Sequence, residues 1–345
     1  MENSSTQCDQ NRRSFLKLSG LLGLGAAAAA LLPAEGAEAF LFNSNEYKVV
    51  KTGLAMGTFV TMTAIHSSKD EAEEAIGLAF NEINRLSSLL THFDASSPVG
   101  ILNGQGKLEQ PPRELMELMV RSLYYYRQTG GAFDITVKPV MDLYQSSFAA
   151  GHRPDEKEIA AVLDCIGMEH VRFQKQTIEF AGNNMAVTLD GIAKGYIVDR
   201  ASDVLTAHGL SSHMINAGGD IRASGSAAGG RAWTVAVQDP KKTKQYPDII
   251  TLQGGAVATS GNYEVYFDNE KIFHHIIDSH TGLSPQLSTS VTIIAPTVMD
   301  ADALSTSVFV LEPEAGVQFI NSHHDCECFI IAKDGAITRS NGWKV

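Results

Sequence analysis

The chain has 345 residues, a net charge of −12, 44% hydrophobic and 19% charged residues, 15 Phe, 9 Tyr and 4 Cys. That length allows one large or two modest domains with a sizeable core, and the apolar and aromatic content excludes a disordered chain. The acidic balance argues against a nucleic-acid binder and against a polyphosphate site made of Lys and Arg alone, and the Cys are too few for a disulfide scaffold.

In chain order, the first forty residues read as an address. Asn11-Arg12-Arg13-Ser14-Phe15-Leu16-Lys17 precedes a Gly- and Ala-rich apolar run over 18–32, followed by Pro33 and Ala37-Glu38-Ala39. A basic segment, an apolar segment and a small-x-small site together make an export signal, and Arg12-Arg13 gives it the look of a twin-arginine signal. The apolar run has about 15 residues, short of the ~20 that span a bilayer. No Cys stands at the cleavage point for a lipid anchor. The expectation is a signal peptide over 1–39 and a working domain over 40–345, periplasmic or otherwise extracytoplasmic. A signal left uncleaved would keep it membrane-associated. Cys165, Cys326 and Cys328 remain, and their spacing gives no pairing.

Residues 49–66 read as two strands around Met56-Gly57-Thr58. Residues 70–90 form an amphipathic helix, with Ile76, Phe80, Ile83, Leu86 and Leu90 at helical spacing and Glu71, Glu73 and Glu74 near its start. A second helix covers 114–128, closed by Gly130-Gly131, and a third covers 155–163. Residues 171–180 and 185–189 read as strands, 192–208 as a helix ended by Gly209, and 212–294 as strands separated by Gly, Asn and Asp turns, with a loop at 225–230. Helices over 300–311 and 314–321 precede a hairpin of 328–332 and 336–339 around Asp334-Gly335. Helices and strands mix without βαβα alternation, which predicts an α+β fold with largely antiparallel sheets and packed helices.

Four polar groups stand out. Thr188-Leu189-Asp190-Gly191-Ile192-Ala193-Lys194-Gly195-Tyr196 opens a helix whose N-terminus suits a phosphate, and Lys194 in its first turn suits an anionic ligand; a surface Lys beside a structural Gly is the plain alternative. Asn216-Ala217-Gly218-Gly219-Asp220 lets backbone approach a ligand, or is an ordinary tight turn. His274-His275-Ile276-Ile277-Asp278-Ser279-His280-Thr281-Gly282 lacks zinc-site spacing; as a strand it would place His275 and Ile277 on one face. Asp302 and Thr306, four apart on a helix, turn two oxygens one way, a pairing typical of hard cations such as magnesium; alternatively Asp300 caps that helix and Asp302 enriches its first turn. His323-His324-Asp325-Cys326-Glu327-Cys328 fits no common zinc module and reads as a turn.

Taken in order, Met56-Gly57-Thr58, Gly131-Ala132-Phe133-Asp134, the 190–196 and 216–220 segments, His275-Ile276-Ile277-Asp278 with Thr281-Gly282, and Asp302-Ala303-Leu304-Ser305-Thr306 closely resemble the ApbE family of FAD:protein FMN transferases. The resemblance covers about 56–310. It implies an ApbE-like, T-fold-like architecture and a Mg²⁺-dependent cleavage of FAD. FMN would pass to a Thr or Ser hydroxyl of a target protein, leaving AMP. Targets would carry an Asp-x-x-(Ser/Thr)-Gly-Ala-(Ser/Thr) motif, as in sodium-pumping or Rnf-type electron-transfer subunits. By position, Met56, Phe93, Ala132, Phe133, Asp134, Thr188, Lys194, His275 and Ile276 would hold FAD. Gly191, Asp302, Ser305 and Thr306 would hold the metal, and His275 and Asp278 would be catalytic, His275 activating the acceptor hydroxyl. Phe93 stands where a Tyr is common, Thr188 where an Asp is, and Ser279 where a Pro is. Hydrolysis of FAD to FMN and AMP, and a non-catalytic FAD-binding protein, are the competing readings. The chain has no acceptor motif at Asp203-Val204-Leu205-Thr206, which Ala207-His208 follows.

Overall fold

A two-residue turn sets the first long hairpin. In the computed structural model, which describes residues 38–43, 46–174, 176–241 and 246–343, strand β2 (Glu46–Ala55) runs into β3 (Thr58–His66) through Met56-Gly57. Both turn residues have positive φ, 52° and 71°, the twist that tight hairpins favour. The hairpin is the start of a nine-stranded sheet. Beside it lie β1 (Glu38–Asn43), β7 (Ser212–Ala217), β8 (Asp220–Ser224), β11 (Gly255–Gly261), β12 (Ser288–Ala295), β13 (Glu327–Ala332) and β14 (Ile337–Arg339). The order is β1-β2-β3-β7-β8-β11-β12-β13-β14, and every neighbouring pair is antiparallel. The α+β, antiparallel expectation therefore holds.

Helices α1 (Lys69–Leu90), α6 (Ala193–Ala207) and α7 (Val298–Val310) cover one face of this sheet. Val60, Met62 and Ala64 of β3 pack there with Ile76, Ile83, Leu86, Val198, Leu205, Ile293 and Val308. On the other face, β9 (Trp233–Ala236) and β10 (Ile249–Leu252) place Trp233, Val235, Ile250 and Leu252 over Ile221, Ala223, Val257 and Phe329. The remaining helices are α2 (Pro98–Gln105), α3 (Arg113–Gln128), α4 (Lys138–Ala149), α5 (Glu156–Leu163) and α8 (Pro313–Asn321). A small antiparallel sheet joins β4 (Lys107–Glu109), β6 (Thr177–Phe180) and β5 (Val171–Gln174). The described residues fall in one compact unit. The twin-arginine segment lies outside them, and the expected 39/40 boundary falls inside β1.

Four expectations change. Residues 171–180 are not one strand but the antiparallel hairpin of β5 and β6. Residues 185–189 join no sheet. The Asn103 side chain instead meets Val187, donating to its carbonyl at 2.9 Å and accepting from its N–H at 2.8 Å, and Thr188 N donates to Ile135 O at 2.8 Å. Residues 274–280 form no strand either; one isolated bridge, Tyr266 to His274, is what remains of it. The cap of α7 is Thr297, whose side chain accepts from Asp300 N, because the helix begins two residues before Asp300. Asp300 instead accepts from Arg121 and Tyr125, each at 2.6 Å.

Helices α6 and α7 cap each other. Ile192 at the start of α6 offers no side-chain cap; Asp302 of α7 supplies one, accepting from Gly195 N at 3.0 Å. In return Asp199 of α6 accepts from Val298 N at 3.0 Å and Met299 N at 2.9 Å. The exchange needs close backbones, and Gly195 provides them: a Cβ there would lie 2.4 Å from Val298 O.

Candidate functional site

The mutual capping fixes where the α7 oxygens point. Asp302 is 5% exposed, one helical turn from Thr306. The Thr306 hydroxyl faces Gly191, where an added Cβ would stand 3.0 Å from Oγ1 and 3.4 Å from the Phe133 ring. Only a glycine leaves that space free. Ser260 of β11 closes the group, its Oγ 2.8 Å from Ser305 Oγ and 3.3 Å from Thr306 Oγ1. Ser305 is fully buried and also donates to Asp302 O at 2.9 Å. The four residues expected to hold a metal thus lie in one neighbourhood, to which the structure adds Ser260.

The tight turn between β7 and β8 brings in a second carboxylate. Gly218 has φ 63°, and a Cβ on it would lie 2.6 Å from Thr58 Oγ1, so the turn stacks on the Met56-Gly57-Thr58 turn. Asp220, one residue past this turn, is 1% exposed, and its Oδ2 lies 3.4 Å from Lys194 Nζ. Burial pushes Asp220 up to about 6, against the pull of Lys194. Burial, reinforced by the Asp220 charge, raises Asp302 well above the ordinary carboxylate range. Burial acts to discharge Lys194, yet Asp220 and Asp302 outweigh it and keep the ammonium protonated. One cation thus sits among two buried carboxylates, and a further cation bound there would displace the proton that burial favours on Asp302.

A third wall comes from 129–137. Thr129 Oγ1 accepts from Phe133 N at 3.0 Å. Asp134 caps the 3-10 turn Ile135–Val137, its Oδ1 accepting from Thr136 N at 2.8 Å and Thr136 Oγ1 at 2.6 Å. Its Oδ2 is buried without a partner. Burial, with a small addition from Glu169, lifts Asp134 to about 6. Met56 is half-buried at the edge of the core, a non-glycine at positive φ, which costs about 1–2 kcal/mol. Phe93 is 84% exposed. Its ring lies 3.9 Å from that of His92, whose Nε2 is 3.3 Å from Asp190 Oδ2.

His275 is half-buried, with Nδ1 3.4 Å from Val265 O. Burial lowers its pKa and keeps the imidazole neutral at neutral pH. The Ile276 side chain is buried in the core. Asp278 does not face His275 through any hydrogen bond. Both its oxygens serve its own turn, Oδ1 accepting from His280 N at 3.0 Å and Oδ2 from Thr281 Oγ1 at 2.8 Å.

The site is therefore oxygen-rich, with the buried carboxylates of Asp302 and Asp220, several hydroxyls and a glycine backbone, donors of the kind a hard divalent ion takes. Among the described residues no group of three or more His, Cys, Asp or Glu is placed to hold a metal, so an ion here would rest mainly on hydroxyl and carbonyl oxygens. A surface depression of about 420 Å³ is lined by Gln286, Glu312, Lys333 and their neighbours, none of them a site residue. Asp190 and Asp220 lie inside the polar segments 188–196 and 216–220, where the sequence shows them. His92 and Ser260 had no signal in the sequence; only the sheet order and the loop over the site reveal them.

Comparison with known proteins gives consistent findings. The model of the ApbE family matches residues 56–330. A protein of Haemophilus influenzae named FAD:protein FMN transferase is 28% identical over 86% of this chain and 90% of its own length. A Treponema pallidum protein of the same name is 30% identical over 84% and 86%. The crystal structure of the ApbE protein of Thermotoga maritima superposes with a TM-score of 0.76 at 31% identity, covering 85% of this chain and 97% of that one.

Proposed function

The chain belongs to the ApbE family, and from that premise we propose that it is an FAD:protein FMN transferase. In this reading it is Mg²⁺-dependent and moves FMN from FAD to a Thr or Ser hydroxyl of an extracytoplasmic flavoprotein. The name shared by its relatives supports the activity. The observation that carries the site is the meeting of Asp302, Thr306, Ser260 and Gly191 beside Lys194 and a neutral His275.

Each residue then has a task. Asp302, Thr306 and the Gly191 carbonyl would hold Mg²⁺, with Ser305 and Ser260 fixing the Thr306 hydroxyl. A bound Mg²⁺ supplies charge neutralisation and Lewis acidity at a phosphoryl oxygen. Lys194 offers a permanent positive charge to the pyrophosphate, in a chain of net charge −12 that has few to spare. Phosphoryl transfer asks mostly for such positioning and electrostatics. Phe93 and Met56 offer apolar surface to flat rings, and Ala132, Phe133, Asp134 and Thr188 line the adjoining wall. His275, neutral, accepts the proton of the attacking hydroxyl, a contribution of about 10²–10⁴-fold. Asp278 supports this indirectly by holding the turn that follows His275. The signal over 1–39 would take the protein out by the twin-arginine route, to partners bearing the acceptor motif.

The test is mass spectrometry of an acceptor protein incubated with FAD, Mg²⁺ and this enzyme. A gain of one FMN on a Thr or Ser is the expected result. Free FMN and AMP without an adduct would replace transfer by hydrolysis, and intact FAD would leave only binding.

A further inference from the structure

Two walls of the site, 131–134 and 278–282, come from segments 148 residues apart, and one side-chain hydrogen bond joins them. Ser279 Oγ donates to Gly131 O at 2.7 Å. The contact is tight around that bond: Gly131 has φ 95°, and a Cβ on it would lie 3.0 Å from His280 Cε1 and 3.5 Å from Ser279 Oγ. Each segment is already held by other bonds, within itself and to the helix beside it. In the turn, Gly282 N donates to Asp278 O at 2.8 Å, the Tyr144 hydroxyl donates to Gly282 O, and the Asp278 carboxylate accepts from His280 and Thr281. In the loop, Gly131 N donates to Tyr126 O at 2.8 Å, Ala132 N to Thr129 O at 3.3 Å, and Phe133 N to Thr129 Oγ1. The Ser279 hydroxyl closes neither piece; it couples them.

We infer that Ser279 is a positioning residue, a latch that sets the distance between the Ala132–Asp134 wall and the His275 segment, and so the fit of the flavin nucleotide between them. This rests on the flavin-transfer reading. A hydroxyl on a carbonyl constrains two segments at once, whereas a proline at the same position would constrain only its own backbone.

The test compares the full chain with Ser279→Ala, Ser279→Thr and Ser279→Pro by flavin-fluorescence titration with FAD, transfer kinetics and amide hydrogen exchange. Ser279→Ala should weaken FAD binding about three- to tenfold, the worth of one neutral hydrogen bond, and raise KM for FAD alike with kcat held within about twofold. Exchange at Gly131, Ala132 and Phe133 should quicken by a similar factor. Ser279→Thr should restore all three readouts and Ser279→Pro none. Unchanged FAD affinity and exchange in Ser279→Ala, or full recovery in Ser279→Pro, overturns the latch. A wild-type chain that binds FAD but transfers nothing sinks the transferase reading, while binding and exchange still decide the latch.

Discussion

Lys194 lies within reach of two carboxylates that water scarcely touches, Asp220 at 1% and Asp302 at 5% exposure. Replacing it by Met leaves both uncompensated and should cost about 2–4 kcal/mol of stability, somewhat below the figure for a fully buried pair because the Lys side chain keeps some contact with solvent. Lys194→Met/Asp220→Asn should recover part of that stability in urea unfolding, and none of the transferase activity. Recovery of activity would deny Lys194 its place on the pyrophosphate. Asp134 gives a pH signature. Its folded value, about 6, lies above the ordinary 3.8, so the fold favours the protonated carboxyl. Its contribution is full below about pH 4 and is lost as pH rises through about 6. Asp134→Asn removes that loss, so the variant should gain up to about 3 kcal/mol on the wild type between pH 4 and pH 7.5. Parallel stability curves for the two proteins would refute the assignment.

At the scale of elements, the crossing of α6 and α7 has no slack. Gly195→Ala would drive a methyl onto the Val298 carbonyl and the Met299 Cα, at 2.4 and 2.8 Å, backbone atoms that cannot turn aside. The cost should be about 3 kcal/mol, read as a melting temperature lower by roughly 5–10 °C; an unchanged value would mean that the helices part without penalty. The same crossing explains what was legible. The long helices were read almost to their ends, because Ile76, Ile83 and Leu86 repeat at helical spacing and are all buried. Residues 185–189 alternate like a strand, yet their partner is the Asn103 side chain, which no periodicity announces. The His275 segment forms no strand because its bonds are local: Ser284 Oγ accepts from His274 N at 2.9 Å, and the Asp278 turn follows. The resemblance makes Asp278 catalytic; in the structure its oxygens accept from His280 N and the Thr281 hydroxyl, bonds that the motif alone does not announce.

For the molecule as a whole, the motifs were legible one by one, and their convergence was not. Met56, Phe133, Gly191, Asp220 and Thr306 come together only through the β3-β7-β8-β11 order and the helices laid over it, and sequence spacing does not encode that order. Since Gly195 N and the buried core around α7 already hold Asp302 in place, chelation of divalent metal should abolish turnover while leaving the melting temperature nearly unchanged, and Mg²⁺ should restore turnover. A collapse of the fold on chelation would show the ion to be structural. The exchanged caps carry one more consequence, in time rather than space. They join residues 107 and 99 positions apart, contacts of the kind a folding chain makes late. A half-assembled chain therefore has an untied helix end where its chemistry should be, and cannot consume FAD before it is complete. On refolding from urea, turnover should never precede the fluorescence change of Trp233 and Trp343, which are buried against the far side of the same sheet. Competence would then serve as the molecule's own proof of correct assembly.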